Sequence, residues 1–121
     1  MSLSRYLQNI SAYHKNIEVL KNTHLQIIKD LGFDDSKFEF SGNAQTAYDE
    51  LIANTTELIK EIVKTRGEYF YFILYRADVP EKSVFEIVKS GLNVNENLAN
   101  LLVDRELMKV LTREFYKTVS K

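Results

Sequence analysis

Apolar side chains recur at alternating intervals of three and four residues through the amino-terminal part of the chain. The nine positions are Leu3, Tyr6, Ile10, Tyr13, Ile17, Leu20, His24, Ile27 and Leu31. This spacing keeps one stripe of a helix facing its neighbours, and Gly32 is a residue typical of helix ends. The pattern predicts one helix from Leu3 to Leu31 as a member of a bundle, with a coiled coil between two chains as the less favoured alternative.

A broad apolar face also recurs between Ala44 and Arg66. Its members are Tyr48, Leu51, Ile52, Leu58, Ile59, Ile62 and Val63. Charged residues occupy the other face, so the pattern predicts a helix with one solvated side. Thr46 with Asp49 three residues later is a capping pair for its start, and Gly67 suits the turn that ends it.

The segment between these two helices, Phe33 to Asn43, breaks the helical period with Asp-Asp-Ser and Ser-Gly-Asn clusters. Such clusters predict a loop. Phe33, Phe38 and Phe40 are too apolar for a solvated linker. We expect at least two of them to pack onto the bundle as a lid over one end.

Seven consecutive apolar or aromatic residues, Tyr69 to Tyr75, form the most apolar stretch of the chain, and such segments are buried at the centre of a domain. As a strand, residues 69–75 would pair with residues 37–41 in a two-stranded sheet, which is marginal on its own. As a helix that begins after a break at Gly67, the stretch turns one face inward. That face holds Phe70, Ile73, Leu74 and Ala77. The helix is the favoured interpretation, and alanine in place of Phe70 or Ile73 is expected to cost several kcal/mol.

Two further helices complete the chain. Asp78, Pro80 and Glu81 form a helix-start pattern in which Asp78 is the cap, and the short helix that follows ends at Ser90. Its predicted buried positions are Val84, Phe85 and Val88. The last helix runs from residue 95 to about residue 118. Its predicted inner stripe is Leu98, Leu101, Leu102, Met108, Leu111, Phe115 and Val119, with Leu107 and Val110 on its flank.

Together these elements predict an all-α protein. Four main helices and one short helix form a single-domain bundle over residues 1–121 with mostly antiparallel neighbours. The small two-stranded sheet formed by residues 37–41 and 69–75 is the alternative. An apolar content of 45% and a charged content of 27% are near the average of globular domains and agree with this fold class.

Charge and cysteine content narrow the function classes. A net charge of -1 provides no overall field for nucleic acid or an anionic membrane. The absence of cysteine excludes disulfides and thiolate zinc sites. No apolar run approaches the roughly 18 residues of a membrane span. We expect a cytoplasmic protein that contacts neither nucleic acid nor membrane.

The sequence offers no catalytic or metal-binding motif. The Glu-x-x-His pairs of metal-binding bundles are missing, because Ser11 and Lys21 stand three residues before His14 and His24. A Gly-x-Ser-x-Gly elbow and a Gly-rich phosphate loop are also missing. We therefore predict no catalytic residue, metal or cofactor, and favour a protein that is not an enzyme. His24 is predicted to be a hydrogen-bonded residue at the edge of the core, with a pH-responsive role as the alternative.

Polar residues next to the central apolar stretch and on the last helix are the candidate binding residues. They are Tyr71, Tyr75, Arg76, Asp78, Glu81 and Arg105. Arg105 lies among apolar positions, so its guanidinium needs a carboxylate partner, for which Asp78 and Glu81 are the candidates. The favoured interpretation is an ion-paired clamp between the two helices. The alternative is a pocket in which Arg76 and Arg105 hold an anionic ligand.

A basic stripe follows on the same last helix. Its members are Lys109, Arg113, Lys117 and Lys121. Acidic residues lie between them, and no aromatic residue interleaves as it does in nucleic-acid interfaces. We expect a solvated helix end whose cations complement the helix dipole.

Two phrases in the second half of the chain carry a resemblance. They are Leu74-Tyr75-Arg76-x-Asp78-Val79-x-Glu81 and Arg105-Glu106-Leu107-x-Lys109-Val110-Leu111-x-Arg113. Together they resemble small uncharacterised helical proteins of bacteria. The resemblance covers roughly the last half of the chain and implies no activity, ligand or functional residue.

The long amphipathic helices and the lack of catalytic groups favour an interaction or adaptor module without catalytic activity. A protein partner, or self-association through the first or the last helix, is expected. The alternative is a regulatory protein that binds a small anionic molecule in a pocket lined by tyrosines and arginines. The sequence contains no motif that decides between the two.

Overall fold

A computed structural model describes residues 10–33 and 38–119, except for the side chains at positions 69, 71 and 73. Within these residues, five α-helices follow one another. They are α1 (Ile17–Leu31), α2 (Ala47–Arg66), α3 (Phe70–Arg76), α4 (Glu81–Ser90) and α5 (Val94–Val119). Short 3-10 helices cover Ile10–Lys15 and Gly67–Tyr69. Within the described ranges there is no strand, so the predicted all-α bundle is confirmed and the two-stranded alternative is wrong.

The longest helix, α5, is the element on which the others assemble. It packs against α1 and α2 along its length, and α4 packs against it as well. The short α3 contacts both α1 and α2. Completely or almost completely buried side chains include Leu20, Ile27 and Leu31 of α1, Leu51, Ile59 and Ile62 of α2, and Leu98, Leu102 and Leu107 of α5.

The first helix is shorter than its apolar period predicts. It begins at Ile17, and the preceding Asn16 adopts an extended conformation at φ -96° while its side chain accepts a hydrogen bond from the Val19 N–H. An asparagine that caps in this way competes with helical continuation, so the single helix predicted from Leu3 is wrong between Ile10 and Asn16. Leu3 and Tyr6 lie outside the described residues.

The end of α1 agrees with the sequence. Gly32 adopts the left-handed conformation at φ 81° that terminates helices. Beyond it, the predicted aromatic lid is confirmed, since Phe33, Phe38 and Phe40 are half-buried against the core. The ring of Phe38 meets that of Phe40 edge-on at a centroid distance of 4.8 Å.

The start of α2 is fixed by a carboxylate that the capping pattern does not identify. Thr46 is the residue before the helix, as the pattern allows, but its hydroxyl donates to Glu50 at 2.6 Å rather than pairing with Asp49. Glu50 also accepts from the N–H and the hydroxyl of Ser41, at 2.7 and 2.9 Å. These hydrogen bonds, that from Thr46 first, lower the pKa of Glu50.

The aromatic stretch is helical, as predicted. Phe70, Leu74 and Ala77 are 5%, 2% and 0% exposed, which confirms three of the four predicted inner positions; the side chain of Ile73 lies outside the described set. The predicted break at Gly67 is present as a 3-10 turn. Gly67 is not left-handed, however, since its φ is -51°. The 3-10 turn is the only connection between α2 and α3.

Asp78 ends α3 instead of starting α4. Its φ is 60°, a left-handed conformation that aspartate tolerates better than most residues, and the Val79 N–H then bonds back to the Leu74 carbonyl at 3.1 Å. The residue that precedes α4 is Pro80, which has no side-chain cap hydrogen bond. The prediction of Asp78 as a helix cap is therefore wrong.

The buried face of α4 is much narrower than predicted. Val84 is buried at 4% exposure, whereas Phe85 and Val88 are 65% and 41% exposed. The prediction that all three are buried is therefore wrong for Phe85 and Val88. The side of α4 that faces the core carries Val84 together with the half-buried Ile87, and the side with Phe85 and Val88 is turned outward.

The inner stripe of α5 is rotated from the predicted one. The buried positions are Leu98, Ala99, Leu102, Val103, Glu106, Leu107, Val110 and Leu111. Met108 and Phe115 are only half-buried, and Val119 is 57% exposed. Leu107 and Val110, which were predicted to flank the stripe, lie in the core together with the side chain of Glu106.

Candidate functional site

The carboxyl group of Glu106 is completely buried at the interface of α5 with α1. Its side chain is 0% exposed, and Lys109 Nζ lies 3.1 Å from its Oε1. The same ammonium lies 3.1 Å from Asp30 Oδ2 of α1 and 4.0 Å from Asp78 Oδ2. One lysine thus serves three carboxyl groups from three separate parts of the chain.

The surroundings of Glu106 make it hold its proton to a higher pH than an ordinary glutamate does. Burial first and the neighbouring Asp30 carboxylate second raise the pKa of Glu106 to about 7, against the opposing effect of Lys109. The negative charge of Asp30 nearby disfavours a second negative charge on Glu106. As a carboxylate, Glu106 would accept no hydrogen bond of good geometry from the described residues.

The other two members of the cluster keep their charges. Burial raises the pKa of Asp30, but its hydrogen bonds with Glu106, Lys109 and Gln26 outweigh that effect and hold the pKa below its usual value. Burial likewise opposes the charge of Lys109, and the hydrogen bonds and attraction of Glu106 and Asp30 more than compensate, so that its pKa is raised. The cluster is therefore an ion pair, Asp30 with Lys109, next to an acid whose pKa is raised to about 7.

Hydrogen bonds extend the cluster along the surface of α1 and α5. Gln26 Nε2 donates to Asp30 Oδ1 at 3.0 Å, and Arg113 donates to Gln26 Oε1 at 2.6 Å. Lys109 also reaches the Arg76 carbonyl at 3.4 Å. Lys109 thereby connects the end of α3 with α1 and α5, and we call this cluster the polar clamp.

A clamp was predicted here, but with the wrong cation. Among the described side chains, no carboxylate lies within 4.0 Å of Arg105, and its buried Nε has no hydrogen-bond partner. Asp78 approaches Lys109 instead. Lys109 lies one helical turn after Arg105 on the same side of α5, and its ammonium is the group that approaches Asp30 and Asp78.

The predicted binding residues do not converge on one site. Asp78 and Arg105 line a cavity of about 500 Å³ whose other lining residues are Gln26, Met108, Lys109, Thr112 and Arg113. Tyr75 and Glu81 line a different groove. Arg76 is exposed and contributes its carbonyl to Lys109, whereas the side chain of Tyr71 lies outside the described residues.

The sequence interpretation missed Asp30 and Gln26. It placed Glu106 and Lys109 among the polar residues next to apolar positions of the last helix, but gave Glu106 no role and assigned Lys109 to a solvated stripe. A signal for Glu106 was present, because it lies four residues after Leu102 and four before Val110, both apolar. A charged residue at the centre of an apolar helical face requires a partner. The prediction of a solvated basic stripe is wrong for Lys109, which is only 25% exposed, and Lys121 lies outside the described residues.

The second groove lies between α3 and α4 and is mainly apolar. Its volume is about 690 Å³, and its lining residues are Leu74, Tyr75, Val79, Glu81, Lys82, Val84, Phe85 and Val88. Tyr75 and Phe85 are 70% and 65% exposed, and Leu92, just after α4, is 70% exposed. Large apolar side chains are thus concentrated on the outer side of these two short helices.

A separate polar cluster around Tyr48 connects the first 3-10 helix (Ile10–Lys15) with α2 and α5. The ring of His14 stacks on that of Tyr48 at a centroid distance of 3.6 Å. The Tyr48 hydroxyl lies 2.7 Å from Asp104 Oδ1 and 2.8 Å from Asn100 Oδ1. Burial, followed by the Asp104 carboxylate, raises the pKa of Tyr48. This phenol therefore stays protonated and serves as a hydrogen-bond donor.

His24 lies at the edge of the core, 6% exposed. Its Nδ1 is 3.5 Å from Asn54 Nδ2, and its ring meets Phe38 edge-on at 5.0 Å. Burial lowers the pKa of His24 from 6.5. A lowered pKa means that its stabilising contribution is present above pH 6.5 and is lost as the pH falls through the folded-state pKa.

Neither metal ligation nor membrane insertion is indicated by the described residues. In that part of the chain, no group of three His, Asp or Glu side chains is arranged to hold a metal ion. No helix there has the length and apolar character that crossing a membrane requires.

Comparison with known proteins adds no relative. No protein-family model, no curated protein and no solved structure matches the chain. The fold class therefore rests on the helices themselves, and any function must be argued from the clamp and the two cavities.

The raised pKa of Glu106 predicts an unusual pH dependence of stability. The pKa of Glu106 is about 7 in the folded protein, whereas its ordinary value is 4.5. The folded state therefore binds more protons than the unfolded state between these values, and the contribution of Glu106 to stability falls as the pH rises. Relative to Glu106→Gln, wild-type stability should fall by on the order of 2 kcal/mol between about pH 5 and about pH 8. Urea unfolding of both proteins at the two pH values measures this difference. A difference that is constant, or that grows with pH, would show that Glu106 is ionised throughout.

Proposed function

We propose that the protein is an interaction module that docks an amphipathic helix of a protein partner in the groove between α3 and α4. The observation that supports this proposal is the outward face of α4. Phe85 and Val88 are 65% and 41% exposed on a helix whose only buried side chain is Val84. Complete burial of a phenylalanine or valine side chain contributes roughly 1.5 to 3 kcal/mol, and the fold leaves most of this contribution unrealised for Phe85 and part of it for Val88.

The shape of the groove favours a helix as the bound element. Two helices border it, and its floor is formed by the buried residues Leu74, Val79 and Val84. Helix-in-groove recognition uses apolar side chains of the ligand at intervals of three and four residues. Glu81 and Lys82 provide opposite charges among the lining residues, which is the polar rim that such interfaces have around an apolar centre.

A small anion in the cavity next to Arg105 is the second candidate function. It is favoured by the buried Nε of Arg105, which has no hydrogen-bond partner among the described residues. It ranks second because Lys109 and Arg113, the other cations of that cavity, are already bonded to Asp30 and Gln26. The Asp78 carboxylate in the same cavity also repels an anion.

We propose the cytoplasm as the location of this module. A chain without cysteine is suited to a reducing compartment, where disulfides do not form. The proposal that the protein is a binding module does not depend on this location.

Selection of helical peptides from a displayed library tests the docking proposal. We expect peptides selected on the wild-type protein to lose at least about tenfold in affinity for Phe85→Asp, because a charge at the centre of an apolar interface loses its water on binding. The matched control is Leu25→Asp, since Leu25 is 63% exposed on α1, away from the groove. Circular dichroism shows that both variants fold. Equal affinity for the two variants, or a selection without groove binders, contradicts the proposal.

A further inference from the structure

We infer that the helix bound in the groove is α4 of a second copy of this chain, packed antiparallel to the first across a two-fold axis beside Phe85. This inference rests on the proposed function of the groove and names its partner. The observation that supports it is the order of three exposed residues on α4. Glu81, Phe85 and Lys89 follow one another at intervals of four.

Residues at intervals of four lie on one face of a helix. On that face of α4, an acid and a base stand at equal distances on either side of an aromatic ring. When two copies pair antiparallel with Phe85 against Phe85, Glu81 of each copy faces Lys89 of the other. A single helix therefore supplies two complementary ion pairs around an apolar centre, which is the self-complementarity that an isologous dimer requires.

The direction of pairing follows from the same charges. In a parallel pair, Glu81 would face Glu81 and Lys89 would face Lys89, and both contacts would be repulsive. Antiparallel pairing also aligns the two helix dipoles favourably, since each amino terminus lies beside the other carboxyl terminus. The pattern thus specifies one orientation of the second copy.

Neither charge has an ion-pair partner among the described residues. In residues 10–33 and 38–119, no ion pair within 4.0 Å includes Glu81 or Lys89. The apolar residues around them are also uncovered: Val88 is 41% and Tyr75 is 70% exposed. Pairing would cover these side chains and give both charges a partner at the same time.

The long helices are less suited to self-association, although the apolar periods of the sequence pointed to them. The apolar stripes of α1 and α5 are already buried in the core of the chain itself. Their members Leu20, Ile27, Leu98 and Leu102 are at most 2% exposed. The outer side of α4 is the larger unpartnered apolar face. Because α4 is only about 15 Å long, the interface is small, and we expect a dissociation constant in the micromolar range, roughly 1 to 100 μM.

Charge reversal tests the pairing. We expect sedimentation velocity of the wild type to show a concentration-dependent shift towards twice the chain mass of 14.1 kDa. Glu81→Lys and Lys89→Glu should each weaken association at least about tenfold, because each places like charges at both ends of the interface. A mixture of the two variants in equal amounts should associate again, since every Lys at position 81 or 89 of one variant then faces a Glu of the other. Glu61→Lys, an exposed reversal on α2, is the control and should leave association unchanged.

The outcomes separate this inference from the proposed function. Recovery of association in the mixture supports the antiparallel α4 pair. A wild-type protein that stays monomeric at about 1 mM, or a mixture that does not associate, overturns it. If selected helical peptides still bind and still distinguish Phe85→Asp from Leu25→Asp, the groove is a docking site for another protein and the proposed function stands. If neither association nor peptide binding is found, both are wrong.

Discussion

Lys109→Met should lower the free energy of unfolding by about 3 kcal/mol. The substitution keeps most of the aliphatic stem and removes the ammonium that lies 3.1 Å from Asp30 Oδ2 and from Glu106 Oε1. The charge of Asp30 is then left without a cation at a site where its side chain is only 13% exposed. Breaking a buried pair by removing one partner is costly for this reason, and the lower end of the usual range applies because Lys109 itself is 25% exposed.

The control for this prediction is Lys117→Met on the same helix. Lys117 is exposed, so its replacement should change stability by less than about 0.5 kcal/mol. Urea unfolding at neutral pH measures both variants. Equal losses in the two variants would mean that the clamp contributes nothing beyond an ordinary surface lysine.

A second substitution identifies the source of the loss. If the uncompensated charge of Asp30 is responsible, Asp30→Asn in the Lys109→Met background should recover part of the lost stability, because the amide carries no charge that needs a cation. If the loss came only from packing of the lysine stem, Asp30→Asn would lower stability further. Asn also retains an oxygen for the hydrogen bond from Gln26.

The helices themselves could be predicted because their apolar periods are long. Apolar residues at intervals of three and four predicted the start of α2 to within three residues and the start of α5 to within one residue. Local chemistry changed the boundaries elsewhere. Asn16 caps α1 inside an unbroken apolar period, because a side-chain acceptor next to the backbone competes with the helical hydrogen bonds.

The polar clamp could not be derived in the same way. Whether Glu106 or Arg105 points into the core depends on a rotation of α5 by one residue, about 100°, and apolar residues flank both positions. The choice is made by tertiary contacts, namely by Asp30 on α1 and the end of α3. The identity of the cation was missed for the same reason, since Lys109 meets Asp78 only after the chain turns through a left-handed residue.

The error at α4 has a physical explanation that bears on function. An amphipathic pattern records that Phe85 and Val88 favour burial, but it does not record which chain buries them. The sequence predicted burial in the chain's own core, whereas the folded chain leaves both side chains exposed. A pattern of this kind that the monomer does not satisfy is characteristic of an interaction surface, and this reasoning underlies the proposed docking groove.

Phe70→Ala and Phe72→Ala should differ strongly in their effects, although the two residues are separated by one position. Phe70 is 5% exposed and Phe72 is 57% exposed. Truncation of a buried phenylalanine costs about 3 to 5 kcal/mol through lost burial and the cavity that remains. Truncation of the exposed ring should cost less than about 1 kcal/mol. Urea unfolding at a protein concentration well below that of association measures both, so that any dimer contact does not contribute.

The comparison also distinguishes the two interpretations of the aromatic stretch. In a strand, residues two apart lie on the same face, so Phe70 and Phe72 would be buried or exposed together and the two substitutions would have similar costs. In a helix they are about 200° apart, and only Phe70 reaches the core beside Leu74. Costs within about 1 kcal/mol of each other would therefore argue against α3, whereas a large difference requires the helix and identifies Phe70 as the residue by which the aromatic stretch is anchored in the core.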